Sequence, residues 1–159
     1  MSMGQPTSAA GTSPASMADV ESTAPAPLFV ARIDVRWRDL DAFNHVNNSN
    51  YLTYLEESRL QYLQTLRDWY RADAMPVLAA VHLNYRQPIT WPAVLNVHLY
   101  CARLGTTSIT LAHRITAADD ATHLFCDGDA TMVWMDPSCG KPVALPDSVR
   151  AAAQGDIRR

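Results

Sequence analysis

The chain contains no window near the roughly 18 uninterrupted apolar residues of a membrane-spanning helix, so a helical span is not expected. It also lacks a basic excess. With a formal net charge of -3 over 159 residues, there is no electrostatic reason to expect nucleic acid as a partner. Cysteine is sparse: Cys101, Cys126 and Cys139 are odd in number and carry no Cys-x-x-Cys spacing. That excludes a disulfide framework and a cysteine zinc site, and points to a reducing, cytoplasmic compartment. There is no Gly-rich phosphate loop and no internal repeat. Residues 1–27 have neither a basic start nor an apolar h-region. Rich in Ala, Ser, Thr, Pro and Gly, they read as a disordered low-complexity tail rather than a signal peptide.

What is present is enough apolar material for one domain with a real core, since hydrophobic residues make up 48% of the chain. From Phe29 the odd positions Phe29, Ala31, Ile33, Val35 and Trp37 are apolar and alternate with Arg32, Asp34, Arg36 and Arg38, the period of a half-buried strand. The period then changes. Tyr51, Leu52, Leu55, Tyr62, Leu63, Leu66 and Tyr70 recur at helical spacing, predicting one helix of about five turns. Alternation returns over Val77–Tyr85, Leu95–Cys101, Ile109–Ile115 and His123–Met135, predicting four more strands. Gly128 within the last of these marks a bulge or a close backbone approach. Asp136–Gly140 has the composition of a turn, and residues 147–159 read as a short C-terminal helix or tail. The order predicts an α+β fold: an antiparallel sheet of about five strands wrapped around one long central helix, with the domain spanning 28–146. One helix leaves part of such a sheet uncovered, so a homodimer or a tetramer is expected.

The segment with chemical content is Trp37–Tyr51, where Asp39 and Asp41 lie just before a helix start supplied with Asn47, Asn48, Ser49 and Asn50. The first turn of a helix leaves backbone N–H groups unpaired and carries partial positive charge, so a carboxylate and an anion-seeking helix end meet there.

The run Asp39-Leu40-Asp41-Ala42-Phe43-Asn44-His45-Val46-Asn47-Asn48, followed by Asn50-Tyr51 and Glu57-Ser58-Arg59, resembles the hotdog-fold acyl-CoA thioesterases of the 4-hydroxybenzoyl-CoA type. Gly140-Lys141-Pro142 and Leu145-Pro146 are similar to the end of that family's last strand, so the resemblance runs from about Leu28 to Pro146. It implies an enzyme that hydrolyses an acyl-CoA thioester to free acid and CoA, without cofactor or metal. It implies that Asp41 is the catalytic carboxylate, acting as nucleophile or general base. The backbone amide near Asn48 would polarise the carbonyl. Asn44 stands where many members carry Gly, which predicts an altered loop path or an Asn at positive φ. Thioesters of acyl carrier protein, and a non-catalytic acyl-thioester binding module, are the alternative readings.

Each candidate also has an ordinary structural reading. Asp41 could simply cap the helix or complete a turn, and Asp39 is better read as a structural partner for a nearby Arg or backbone amide. His45 is expected to shape the helix entry, and Tyr51 and Tyr54 to line an acyl pocket or the core. Glu56 and Glu57 are rival carboxylates, because another hotdog subclass takes its catalytic group from the central helix. Their plainer role is favourable charge near the helix start. His82, His98, His113 and His123 sit singly on strands and complete no metal pattern. Ser49 and Ser58 lack the partners of a serine nucleophile. Arg86 and Arg103 are candidates for the CoA phosphates.

Overall fold

A computed structural model describes residues 26–155, so the tail read over 1–27 lies almost wholly outside the described residues. Six strands form one antiparallel sheet: β1 (Phe29–Asp34), β2 (Met75–Tyr85), β3 (Val94–Leu104), β4 (Ser108–Ala117), β5 (Leu124–Asp136) and the two-residue β6 (Lys141–Pro142). The spatial order is β1-β3-β4-β5-β2, with β6 paired to the end of β5. A long helix α1 (Asn48–Gln64) follows β1, and a short helix α2 (Asp147–Ala153) closes the described chain.

The alternation read from the sequence decides which face meets the helix. Leu95, Val97 and Leu99 of β3, Ile109, Leu111, His113 and Ile115 of β4, and Cys126, Ala130, Met132 and Trp134 of β5 are buried. From α1, Tyr51, Tyr54, Leu55, Ser58, Arg59, Tyr62 and Leu63 are buried beneath the helix. The helix packs on β1 and β3. Its far side leaves the strand at the other edge, β2, largely uncovered, with Val77, Leu78 and Tyr85 exposed.

Two boundaries differ from the sequence reading. The first strand stops at Asp34, and Trp37 enters a 3-10 turn (Trp37–Asp39) with its side chain 73% exposed. The helix ends at Gln64 rather than continuing to Tyr70, because Thr65 turns its hydroxyl back onto the Tyr62 carbonyl and Asp68 takes a positive φ of 55°. An apolar spacing that fits a helix continued through this local stop signal. Gly128 marks a close approach: a Cβ there would lie 2.0 Å from the His82 carbonyl oxygen on β2. The register shifts lie elsewhere, at Leu78/Ala80, Cys101/Arg103 and Ile115/Thr116.

Candidate active site

The loop between β1 and α1 is built around Asp39. Its carboxylate accepts from the Arg36 backbone N–H at 3.0 Å, from Arg36 Nε at 3.1 Å and from the Tyr54 hydroxyl at 2.7 Å. Its backbone carbonyl accepts from Asn47 N–H and from Asn50 Nδ2, both at 2.8 Å. Burial alone would push the Asp39 carboxyl up, and the hydrogen bonds from Arg36 and Tyr54 outweigh it, so the group titrates below the usual carboxylate range. One residue thereby ties strand exit, loop and helix start together. This is the structural role read for it, and it also accounts for Tyr54, whose hydroxyl is spent on Asp39.

Asp41 stands in a tight turn. Its Oδ1 accepts from Phe43 N–H at 2.8 Å and His45 N–H at 3.3 Å, while its own N–H donates to the His45 carbonyl at 2.7 Å. Asn44 closes the turn at φ 60°, a conformation Asn tolerates better than most residues. The turn engages one carboxylate oxygen; Oδ2 accepts no hydrogen bond among the described residues. An Asx turn and a free carboxylate oxygen therefore coexist in one side chain.

Asn47 is the N-cap of α1, its side chain accepting from Ser49 N–H at 3.0 Å. Asn48 is then the first helical residue, and its N–H donates to no group among the described residues, as the geometry of a first turn requires. A cavity of about 250 Å³ is lined by Asp41, His45, Val46, Asn48, Tyr51, Tyr85, Arg86, Gln87 and Pro88. The cavity thus brings together a carboxylate, an imidazole and the positive end of a helix.

Two of its residues are the last of β2 and the one that follows it. Tyr85 packs edge-on against Tyr51, ring centroids 5.0 Å apart, and donates its hydroxyl to the Asn48 carbonyl at 3.2 Å. Arg86 pairs with Asp127 at 2.9 Å, which raises the guanidinium and holds the Asp127 carboxyl below its ordinary range. Tyr85 was not singled out from the sequence, where it is only the last apolar position of a strand. Arg103 is exposed on β3 and lines none of these cavities.

Glu56 and Glu57 are exposed on α1 and do not line the Asp41 cavity. Glu57 accepts from Gln61 Nε2 at 2.9 Å, and Glu56 lines a separate cavity further along the helix. A larger groove of about 660 Å³, bordered by Arg32, Asp34, Asp119 and His123, opens at the other edge of the sheet beside β1.

A helix laid on an antiparallel sheet, with a carboxylate loop at the helix start, is the hotdog architecture of thioester hydrolases. The model of the thioesterase-like superfamily matches residues 35–153, and the chain belongs to that family. It is 30% identical over 122 residues to the long-chain acyl-CoA thioesterase FadM of Escherichia coli K12, spanning 75% of this chain and 92% of that protein. Among solved structures it is similar to the PA2801 protein of Pseudomonas aeruginosa, with 38% identity and a TM-score of 0.76 over 79% of this chain and 98% of that one. It is also similar to the XC229 protein of Xanthomonas campestris, with 40% identity and a TM-score of 0.65 over 70% of this chain and 95% of that one. The chain is accordingly a thioester hydrolase. Among the described residues no helix is long and apolar enough to cross a membrane.

Proposed function

We propose that this enzyme hydrolyses acyl-CoA thioesters to the free acid and CoA, with Asp41 as the catalytic carboxylate and the Asn48 backbone amide as the carbonyl-polarising donor. The observation that carries the reading is that one cavity is lined by both residues, Asp41 with an unengaged Oδ2 and Asn48 with an unengaged N–H. A thioester carbonyl is already electrophilic. Its hydrolysis needs an attacking oxygen on one side and a donor for the developing oxyanion on the other. Asp41 supplies the first, either by attacking the carbonyl to give a mixed anhydride or by deprotonating a water. In both routes the carbon–sulfur bond breaks, the thiolate of CoA leaves with a proton, and water provides the oxygen of the acid.

The other lining residues support this assignment. His45 and Tyr51 shape the cavity wall, and Tyr54 acts from outside it by holding Asp39. Arg86, which lines the cavity and pairs with Asp127, is suited to the phosphates of CoA. Similarity to FadM, a protein named for long-chain acyl-CoA, supports CoA rather than acyl carrier protein as the leaving group here. The enzyme works as a homo-oligomer in this reading, because the exposed apolar residues Val77, Leu78 and Tyr85 on an edge strand need a cover. The test is turnover of an acyl-CoA panel by the native chain and by Asp41→Asn, with light scattering for the assembly.

A further inference from the structure

Arg59 presents an unusual state for a cation. Only 7% of the residue is exposed, Nη1 is buried with no hydrogen-bond partner, and no carboxylate comes within ion-pair distance among the described residues. Burial pulls its pKa down, with Glu56 acting in the opposite sense. A desolvated guanidinium left unpaired is costly, so its place in a working enzyme calls for an acceptor.

The surroundings restrict what that acceptor is. Arg59 lines a cavity of about 220 Å³ whose remaining wall is Glu56, Leu60, Leu63, Trp69, Pro76, Leu78 and Met132. Those walls are apolar except for Glu56, one turn before Arg59 on the same helix. A second anion in this cavity would face the Glu56 carboxylate. A neutral hydroxyl satisfies both groups, accepting from the Arg59 guanidinium and donating to Glu56.

This cavity and the Asp41 cavity are both lined by residues of α1 and β2, the Arg59 cavity further along the helix. The β2 residues on the sheet face of the buried Cys126, Ala130, Met132 and Trp134 run Tyr85, Leu83, Val81, then past the register shift Leu78 and Pro76. Tyr85 belongs to the Asp41 cavity and Leu78 and Pro76 to the Arg59 cavity, with Val81, Leu83 and Leu52 of α1 partly or fully exposed between them. Arg59 is eleven positions beyond Asn48 on α1, about 16 Å along the axis at the helical rise. At about 1.2 Å advance per bond of an extended chain, that distance corresponds to roughly 13 bonds.

We infer that the Arg59–Glu56 cavity is a recognition site for a hydroxyl at the far end of a medium-to-long acyl group, making this enzyme selective for hydroxylated acyl thioesters, an inference that rests on the hydrolase reading of the Asp41 cavity. A site that hydrogen-bonds a hydroxyl discriminates strongly against the analogue lacking it, because its own buried donor is then left unpaired.

The test compares 12-hydroxydodecanoyl-CoA, dodecanoyl-CoA and the CoA monothioester of dodecanedioic acid. The native enzyme is expected to show kcat/KM at least tenfold higher for the hydroxylated chain than for either of the others, and Arg59→Met to bring the hydroxyl-to-plain ratio near one. Arg59→Lys, which retains a cation in the same place, serves if the methionine variant does not fold, and lowers the same ratio. Equal kcat/KM for hydroxylated and plain chains in the native enzyme, a preference for the dicarboxylic chain, or a hydroxyl preference that survives both substitutions would overturn the assignment. A native ratio near one, together with loss of the oligomer in Arg59→Met by light scattering, would mean that a second copy of the chain supplies the acceptor instead. Should no CoA thioester turn over, the hydrolase reading fails separately. Titration calorimetry with free 12-hydroxydodecanoate and dodecanoate then decides the site, with tighter binding of the hydroxy acid expected and equal binding contradicting it.

Discussion

The Tyr54 hydroxyl donates to Asp39 Oδ2 at 2.7 Å, joining the second turn of α1 to the loop that precedes it. Both side chains are buried, and Asp39 in turn holds Arg36 and, through its carbonyl, Asn47 and Asn50. The position of the helix N-terminus relative to Asp41 therefore depends on a bond in which neither partner touches the cavity.

Removing that hydroxyl tests the dependence. Tyr54→Phe leaves Asp39 with fewer donors at a site shielded from water, and the loss of a hydrogen bond to a charged group is worth about 1.5–3 kcal/mol. Chemical denaturation is expected to show a destabilisation of that size with an unchanged m-value. A fall in kcat exceeding any rise in KM would accompany it. An unchanged midpoint would mean that Asp39 is held by Arg36 alone.

Gly128 is expected to tolerate no side chain. Alanine at this position would place its Cβ 2.0 Å from the His82 carbonyl and 3.0 Å from His113 Nε2, so β2 has to shift away from β5 or the inner face has to open. Overpacking at a well-filled position costs about 1–3 kcal/mol, and backbone contact this close belongs at the upper end or beyond. Thermal unfolding of Gly128→Ala measures it, with a substantially lower Tm expected. An unaltered Tm would show that the strand pair has slack.

His113 sets an acid limit on stability. Burial, reinforced by the nearby Arg59 charge, pulls its pKa down to about 4, while Asp129 and Asp127 act weakly in the other direction. Its folded pKa lies below its unfolded value of about 6.5, so its contribution is fully present above pH 6.5. It declines as pH falls from there towards 4, where the unfolded chain binds a proton that the folded one refuses. The loss amounts to about 3 kcal/mol across that window. Denaturation midpoints between pH 7 and 4 are expected to fall, and His113→Gln to flatten the profile above pH 4. An identical slope in the variant would assign the acid sensitivity to other groups. Asp39, also held below its ordinary range, loses its contribution at lower pH.

Much of this architecture could be read from the chain because alternation and helical spacing are strong in it. The buried odd positions Leu95, Val97 and Leu99, and the clustering of Tyr51, Leu55, Tyr62 and Leu63 under α1, follow directly from period. The loop was legible through chemistry: Asp39 has an Arg and a backbone amide as partners, and Asn44 adopts the positive φ expected of an Asn standing where glycine is common. Trp37 and Tyr70 lie outside the elements their spacing predicts, because an apolar residue continues a period as well outside an element as inside it. Tyr85 and the Arg59 cavity were not legible at all. Both depend on which strand lies beside the open flank of α1, a matter of sheet order that no local pattern encodes.

Arg86 gives the reading of the CoA end its own test. Paired with Asp127 and lining the Asp41 cavity, it is expected to act on binding rather than chemistry. Arg86→Ala should raise KM for an acyl-CoA severalfold while leaving KM for the same acyl group on a short thiol, such as N-acetylcysteamine, nearly unchanged. Equal effects on both substrates would mean that Arg86 acts by holding the Tyr85 end of β2 in place.

The proposed hydrolysis rests on the Asp41 carboxylate in the cavity it shares with the Asn48 amide. Its most direct test is single-turnover hydrolysis of a long-chain acyl-CoA, followed by thioester absorbance, in the native enzyme and in Asp41→Asn, with affinity measured in parallel. The substitution keeps an oxygen for the turn to Phe43 and His45 and removes the charge. The expected rate in Asp41→Asn is at least ~100-fold lower with substrate still bound. A rate within a fewfold of native would contradict it and transfer the chemistry to another group.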